Sequence, residues 1–441
     1  MKNIIYKGLF LSLLSFAISC EPFLEETNEN PNDPTEVSSA AILPTIQLAL
    51  AYNYNANFSR VSCMWVQQIE GLDRQWAGFN SYTTIASDRS TDWSNFYVDV
   101  LQNSDIMIEQ SSIAGYNHYV GAGQILKAFS LMVMTDYWND IPYTEAFSGI
   151  ENLQPAYDSQ ASIYTEIHSL LASGRNNLAS SDGGLALSGD LIYFGDTSAW
   201  IKAAHAIDAK AYLHEGLLST DNYTAALASI ENAFDSSADD FNFAFGTGAA
   251  TASPWYQFNR DRGDIGFSPT MNAVMVDLND PRKDIYDGDN ESTFLIEYDT
   301  HEFFTIDQTV DLATYTELMF AKAECLIATG GTQADISEAY FAGIESSFSS
   351  LGLDTEYTTY IAQSEVSPAS ITLENVITQK WLALYANPET YSDWRRTGLP
   401  SLTPVSGSAI PTRFLYPQTE LDLNTNTPTV TLFEKVDWDT N

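Results

Sequence analysis

Apolar positions recur at helical spacing along most of the chain. In DTSAWIKAAHAIDAKAYLHEGLLS, residues Trp200, Ala204, Ile207 and Ala211 are spaced 4, 3, 4, and Asp196 or Thr197 is available as the N-cap. In DLATYTELMFAKAECLIATGG, residues Leu318, Ala321, Cys325 and Ala328 are spaced 3, 4, 3, and Gly330-Gly331 supplies a stop. ITLENVITQKWLALYANP predicts another helix, closed by Asn387 and Pro388. The same reasoning places helices near 38–56, 60–70, 92–112, 117–136, 158–178, 221–234 and 333–349. Short polar turns join 196–218 to 221–234 and 312–329 to 333–349, so packed helical hairpins of the tetratricopeptide kind are expected. No strict period of about 34 residues runs through them. The stretches 71–91, 180–195, 236–311 and 399–441 read as loop-rich. A structureless loop as long as 236–311 does not suit a compact domain, so this stretch is expected to be a subdomain or a functional surface.

The first 19 residues break the pattern and read as an export signal. Lys2 and Lys7 open it, and Gly8 to Ile18 is apolar but too short to span a bilayer. It ends in Ala17-Ile18-Ser19-Cys20. Small residues at 17 and 19 suit ordinary signal cleavage. A cysteine followed by the polar tail EPFLEETNENPNDPTE suits a lipoprotein, with Cys20 lipidated and 20–36 a flexible tether. No later run of about twenty apolar residues occurs, so membrane attachment is expected through the lipid anchor only. Two other cysteines, Cys63 and Cys325, fall in helix-like segments and read as buried thiols, not as a disulfide framework.

Composition narrows the function. The 441 residues are 44% apolar and include 24 Tyr, 23 Phe and 9 Trp, enough for a large core. Only 19 Lys and Arg stand against 58 acids, a net charge of −39. Such a surface repels phosphate backbones and anionic headgroups, which excludes a nucleic-acid partner.

One stretch, MTDYWNDIPYTEAF at 134–147, concentrates Asp136, Asp140 and Glu145 around Pro142. It reads either as a catalytic loop or as a corner. Pro142 forces the chain out of helix, and Asp136 and Asp140 can accept backbone N–H bonds there. The segment TDYWNDIPYTEAF resembles one found in SusD/RagB-family outer-membrane lipoproteins of Bacteroidetes. Further resemblances follow in order: NENPNDPTEV, SPWYQFNRDRGD, LNDPR, TYTELMFAKAECL, AYFAGIESSFSSLG, QKWLALYANPETYSDWRRTGLP and IPTRFLYPQTE. The resemblance implies a single mostly α domain over 37–441, with a tetratricopeptide-like scaffold and a large irregular ligand face at 236–311. It implies a surface-exposed lipoprotein of the cell outer membrane. Such a protein captures an oligosaccharide, or in some members a peptide, and passes it to a SusC-like TonB-dependent barrel without breaking bonds. A surface hydrolase and a scaffold gripping only proteins are the alternatives.

Sugar recognition calls for flat aromatic faces and for amide or fork-like hydrogen bonders held in loops. Two patches fit. One holds Trp76, Tyr82 and Trp93 with Arg74, Asn80 and Asp88; the other holds Trp255, Tyr256, Asn259, Arg260 and Arg262. The plainer reading of each tryptophan is core packing, and for Trp65, Trp200 and Trp381, at helical spacing, that reading is preferred. Arg395 and Arg396 read as internal anchors among the acids. Replacing Trp76 or Trp255 by alanine is expected to weaken binding and spare the helices.

Enzymatic signals are weak. His205 and His214 fall on opposite faces of one helix and cannot share a metal. There is no HExxH motif and no Gly-rich phosphate loop. Asp284, Asp287 and Asp289 offer oxygen ligands for Ca2+ but lack EF-hand spacing, so no cofactor is expected beyond that.

Overall fold

The structure is a computed structural model that describes residues 37–183, 185–288 and 301–441. The leader, Cys20, the tether and Asp289 lie outside the described residues.

The chain opens with α1 (Ser39–Asn53), which passes through a kinked turn at 54–58 into α2 (Ser59–Trp65). Strand β1 (Ile69–Gly71), α3 (Arg74–Asn80) and α4 (Ser90–Asn95) follow. Next come α5 (Asn103–Ala114), α6 (Asn117–Trp138), α7 (Gln160–Ala179), α8 (Thr197–His214) and α9 (Thr220–Ile230). Consecutive members of the series α5 to α9 pack on one another as antiparallel-type hairpins. At the α6–α7 crossing, a Cβ on Gly121 would lie 2.8 Å from Gly174 O, so glycine permits that backbone approach.

Among the described residues, the 236–311 stretch is not structureless. It contains β2 (Phe241–Ala244), α10 (Pro254–Asp261), β3 (Ile265–Phe267), α11 (Pro269–Asp277), α12 (Arg282–Asp287) and the start of β4 (Thr309–Ala313). Helices α10 and α11 each begin with proline, and Ser253 and Ser268 cap them by accepting from the N–H of Tyr256 and Thr270. Two antiparallel ribbons hold the stretch in place: β3 pairs with β1 and β4 with β2.

A second hairpin, α13 (Tyr315–Thr329) with α14 (Gln333–Ser350), precedes α15 (Asp354–Tyr360), α16 (Leu373–Ala383), α17 (Glu389–Thr397) and α18 (Gln418–Leu423). Helix α16 ends well before Asn387 because the buried amide of Gln68 donates to the carbonyls of Trp381 and Leu384. One apolar core runs from Ile42 to Trp438, and a smaller one lies between α13, α14 and α16. Cys63 and Cys325 are both free and buried. No helix among the described residues is long and apolar enough to cross a membrane.

Candidate functional site

The acidic stretch after α6 is a corner. Asp136 is buried at 2% exposure, and its carboxylate accepts from Tyr164 Oη (2.5 Å) and Trp438 Nε1 (2.8 Å). It also pairs with His214 Nδ1 at 3.0 Å. Asp136 therefore takes side-chain donors rather than the backbone bonds expected of it, whereas Asp140 does accept from Gln160 N at 3.1 Å. Asn139, at φ +70°, turns the chain, and Ile141 forms a bridge with Asp158. The guanidiniums of Arg395 and Arg413 donate to the carbonyls of Asp136 and Trp138. Arg396 is fully buried and grips Glu324 (2.6 Å) and Asp393 (2.6 Å).

The first aromatic patch meets the second only through Trp76 and Arg74, and the tryptophans of both face inward. Trp76 on α3 packs edge-on against Phe258 of α10 at 4.9 Å, and Arg74 Nε donates to Asp264 at 3.0 Å. Between them lies Arg60 of α2, whose guanidinium carbon is 5.4 Å from Trp76, 5.5 Å from Trp255 and 4.3 Å from Phe258. Trp255 also stacks on Phe304 at 4.4 Å, and its Nε1 donates to Asn55. Trp93 sits among Tyr97, Trp138 and Tyr416. Tyr82 is buried, and its hydroxyl accepts from Val405 N.

The expectation of exposed loop aromatics is corrected accordingly. Trp76, Trp93 and Trp255 lie on helices with no free stacking face, because the chain's own cation and rings occupy those faces. Asn259 is buried too, with Nδ2 lacking a hydrogen-bond partner. Tyr256 and Arg260 are half-buried on α10, Arg260 pairing with Asp261 at 2.8 Å, and Arg262 is exposed. Asn80 is half-buried near the end of α3, and Asp88 caps a turn by accepting from Ile85 N at 2.7 Å.

A groove of about 720 Å³ opens beside these patches instead. Thr45, Leu48, Ala49 and Tyr52 form one stripe of α1 along it, at offsets of three, one and three. Leu48 and Tyr52 are 46% and 41% exposed. Phe243 and Phe245 from β2 and its continuation line the opposite wall. Polar groups come from the segments that the sequence singled out. Asn95, two residues after Trp93, donates to Asn53 Oδ1 at 2.8 Å, and Gln257, two after Trp255, donates to Ala252 O at 2.6 Å. Asp99 adds a half-buried carboxylate. The buried tryptophans thus anchor the segments whose neighbours reach the groove.

Of the three acids in the calcium reading, Asp284 and Asp287 lie among the described residues and do not share a site there. Asp287 is buried and bound to Lys283 at 2.5 Å, and Asp284 is exposed. Among the described residues, no three acids, histidines or cysteines gather as metal ligands do.

Comparison with known proteins bears on this geometry. A family model, SusD-like, described as starch-binding associating with outer membrane, matches residues 31–417. A SusD/RagB family protein from Bacteroides thetaiotaomicron is similar in structure, with a TM-score of 0.78 and 21% identity over 92% of this chain and 99% of that one. A chitin-binding protein gives a TM-score of 0.76 and 24% identity over 92% and 100% of the two chains. A chitin-binding SusD homolog from Flavobacterium johnsoniae gives 0.75 and 21% over 91% and 98%. No curated protein sequence matches this chain.

Proposed function

The chain belongs to the SusD-like family, whose members bind ligands and are not enzymes, and from that premise we propose that it captures a glycan at the cell surface for import. The observation that carries this reading is the groove. An exposed phenol at Tyr52 and flanking apolar side chains supply a surface for sugar C–H faces, and Asn95, Asp99 and Gln257 supply hydrogen bonders for hydroxyls. The family description names starch, and two structural neighbours are described as chitin-binding; both support a glucose-type oligosaccharide. In this reading Cys20 carries lipid in the outer membrane, and the captured glycan passes to a SusC-like TonB-dependent barrel.

Calorimetric titration with maltooligosaccharides and chitooligosaccharides tests the capture step. Tyr52→Ala is expected to weaken binding severalfold to about tenfold, because an aromatic contact contributes about 0.5–1.5 kcal/mol beyond the area it buries. Undiminished affinity in Tyr52→Ala would remove the groove from the proposal. For the anchor, Cys20→Ala is expected to leave the membrane fraction, and its retention there would count against lipidation.

A further inference from the structure

While β2 lines the groove, β4 lines a second hollow of about 410 Å³. Three carboxylates border it, Glu302, Asp307 and Asp311, all exposed. No lysine, arginine or histidine lines it, and none of the three acids enters an ion pair among the described residues. Its inner wall holds two polar groups without partners. Tyr385 is 3% exposed and stacks on Tyr286 at 4.4 Å, yet its hydroxyl makes no hydrogen bond. The side-chain oxygen of Gln308 is also buried and unpaired. Leaving such groups unsatisfied is costly, so an occupant that meets them is favoured.

The chemistry of the wall selects that occupant. Acceptors and acids without a cation repel anions and favour positive charge. A metal ion does not fit, because the carboxylates do not converge on one point among the described residues. An ammonium matches this chemistry: it offers N–H donors to a wall whose carboxylates, Gln308 oxygen and Tyr385 oxygen can all accept, and the aromatic rings there tolerate an alkyl or sugar body. We propose that this hollow is a separate binding site for a protonated primary amine, carried either by an amino sugar or by a lysine side chain. It does not depend on ligand binding in the groove.

The test is calorimetric titration of the full chain at pH 6.5 with three probes: a glucosamine oligomer, its N-acetylated counterpart and trilysine. At least one amine probe is expected to bind ten times or more tighter than the N-acetylated sugar, and which amine does so identifies the source. Asp307→Asn with Asp311→Asn, both on exposed positions, is expected to lower amine affinity at least tenfold. Tyr385→Phe is expected to lower it severalfold, and Tyr52→Ala in the groove to leave it unchanged. Asp221→Asn with Asp422→Asn, exposed positions on α9 and α18 that do not line the hollow, controls for attraction to the acidic surface and is expected to have no effect. Equal binding of amine and N-acetylated probes, no binding of any amine, or equal losses from the local and distant pairs would overturn the proposal.

Discussion

Arg60 explains why the tryptophans chosen for ligand stacking turn inward. It is 5% exposed and has no carboxylate partner among the described residues. Its guanidinium donates to Asn57 Oδ1 at 2.9 Å, while burial pushes its pKa down to about 9. Trp76, Trp255 and Phe258 surround it, a substitute for the water and counter-ion it lacks. Alanine at Trp255 is therefore expected to remove packing first, and to cost about 3–5 kcal/mol of stability by urea unfolding. An unchanged unfolding midpoint would contradict the caged-cation reading. At this scale the sequence was informative about identity and silent about direction. An indole flanked by polar residues reads the same whether its face meets solvent or a neighbour's guanidinium, and Arg60 lies outside both patches, on a separate helix. Tyr52 escaped notice because it falls inside a strongly periodic helix. The signal was present: Leu48 and Tyr52 lie off the core stripe of Leu43, Ile46 and Leu50.

Between elements, buried charge does what apolar packing alone does not. His214 on α8 reaches Asp136 of α6 at 3.0 Å and Glu389 of α17 at 2.7 Å, while Lys210, one turn earlier, reaches Glu317 and Glu389. Burial disfavours the charged imidazole, but Glu389 and Asp136 outweigh it and hold His214 up at about 9. His168, between Asp208 and Glu215, is held up at about 9 in the same way. Both folded values exceed the unfolded value of about 6.5. Their stabilisation is complete below about pH 6.5 and is lost as pH rises through about 9. For His214 alone the linkage is about 3 kcal/mol. The urea midpoint should therefore fall between pH 6.5 and 9.5, and His214→Gln should flatten that slope; a midpoint that rises over this range would refute the assignment. Helices α6, α8 and α13 were legible, because 3.6-residue periodicity and caps such as Asp196 are local signals, whereas α17, which carries Glu389, was not foreseen because it spans only nine residues. The partnerships were not, since Asp136, His214 and Glu389 are brought together only by tertiary packing. The 236–311 stretch misled for a related reason: its helices are six to nine residues long, too short to show a stripe.

For the whole molecule, a net charge of −39 opposes the approach of a phosphate backbone, and the helical-hairpin scaffold joins the C-terminal signature to the corner after α6. Family membership makes the chain a binder, and two hollows flank the β2–β4 ribbon where a ligand could be held. The central claim is that the chain holds a glycan in the groove under Tyr52. A crystal structure of the protein with a bound maltooligosaccharide or chitooligosaccharide tests it most directly. Sugar density against the Tyr52 ring, with hydroxyls bonded to Asn95, Asp99 or Gln257, is the predicted result. Sugar bound on another face, with the groove holding only solvent, would contradict it.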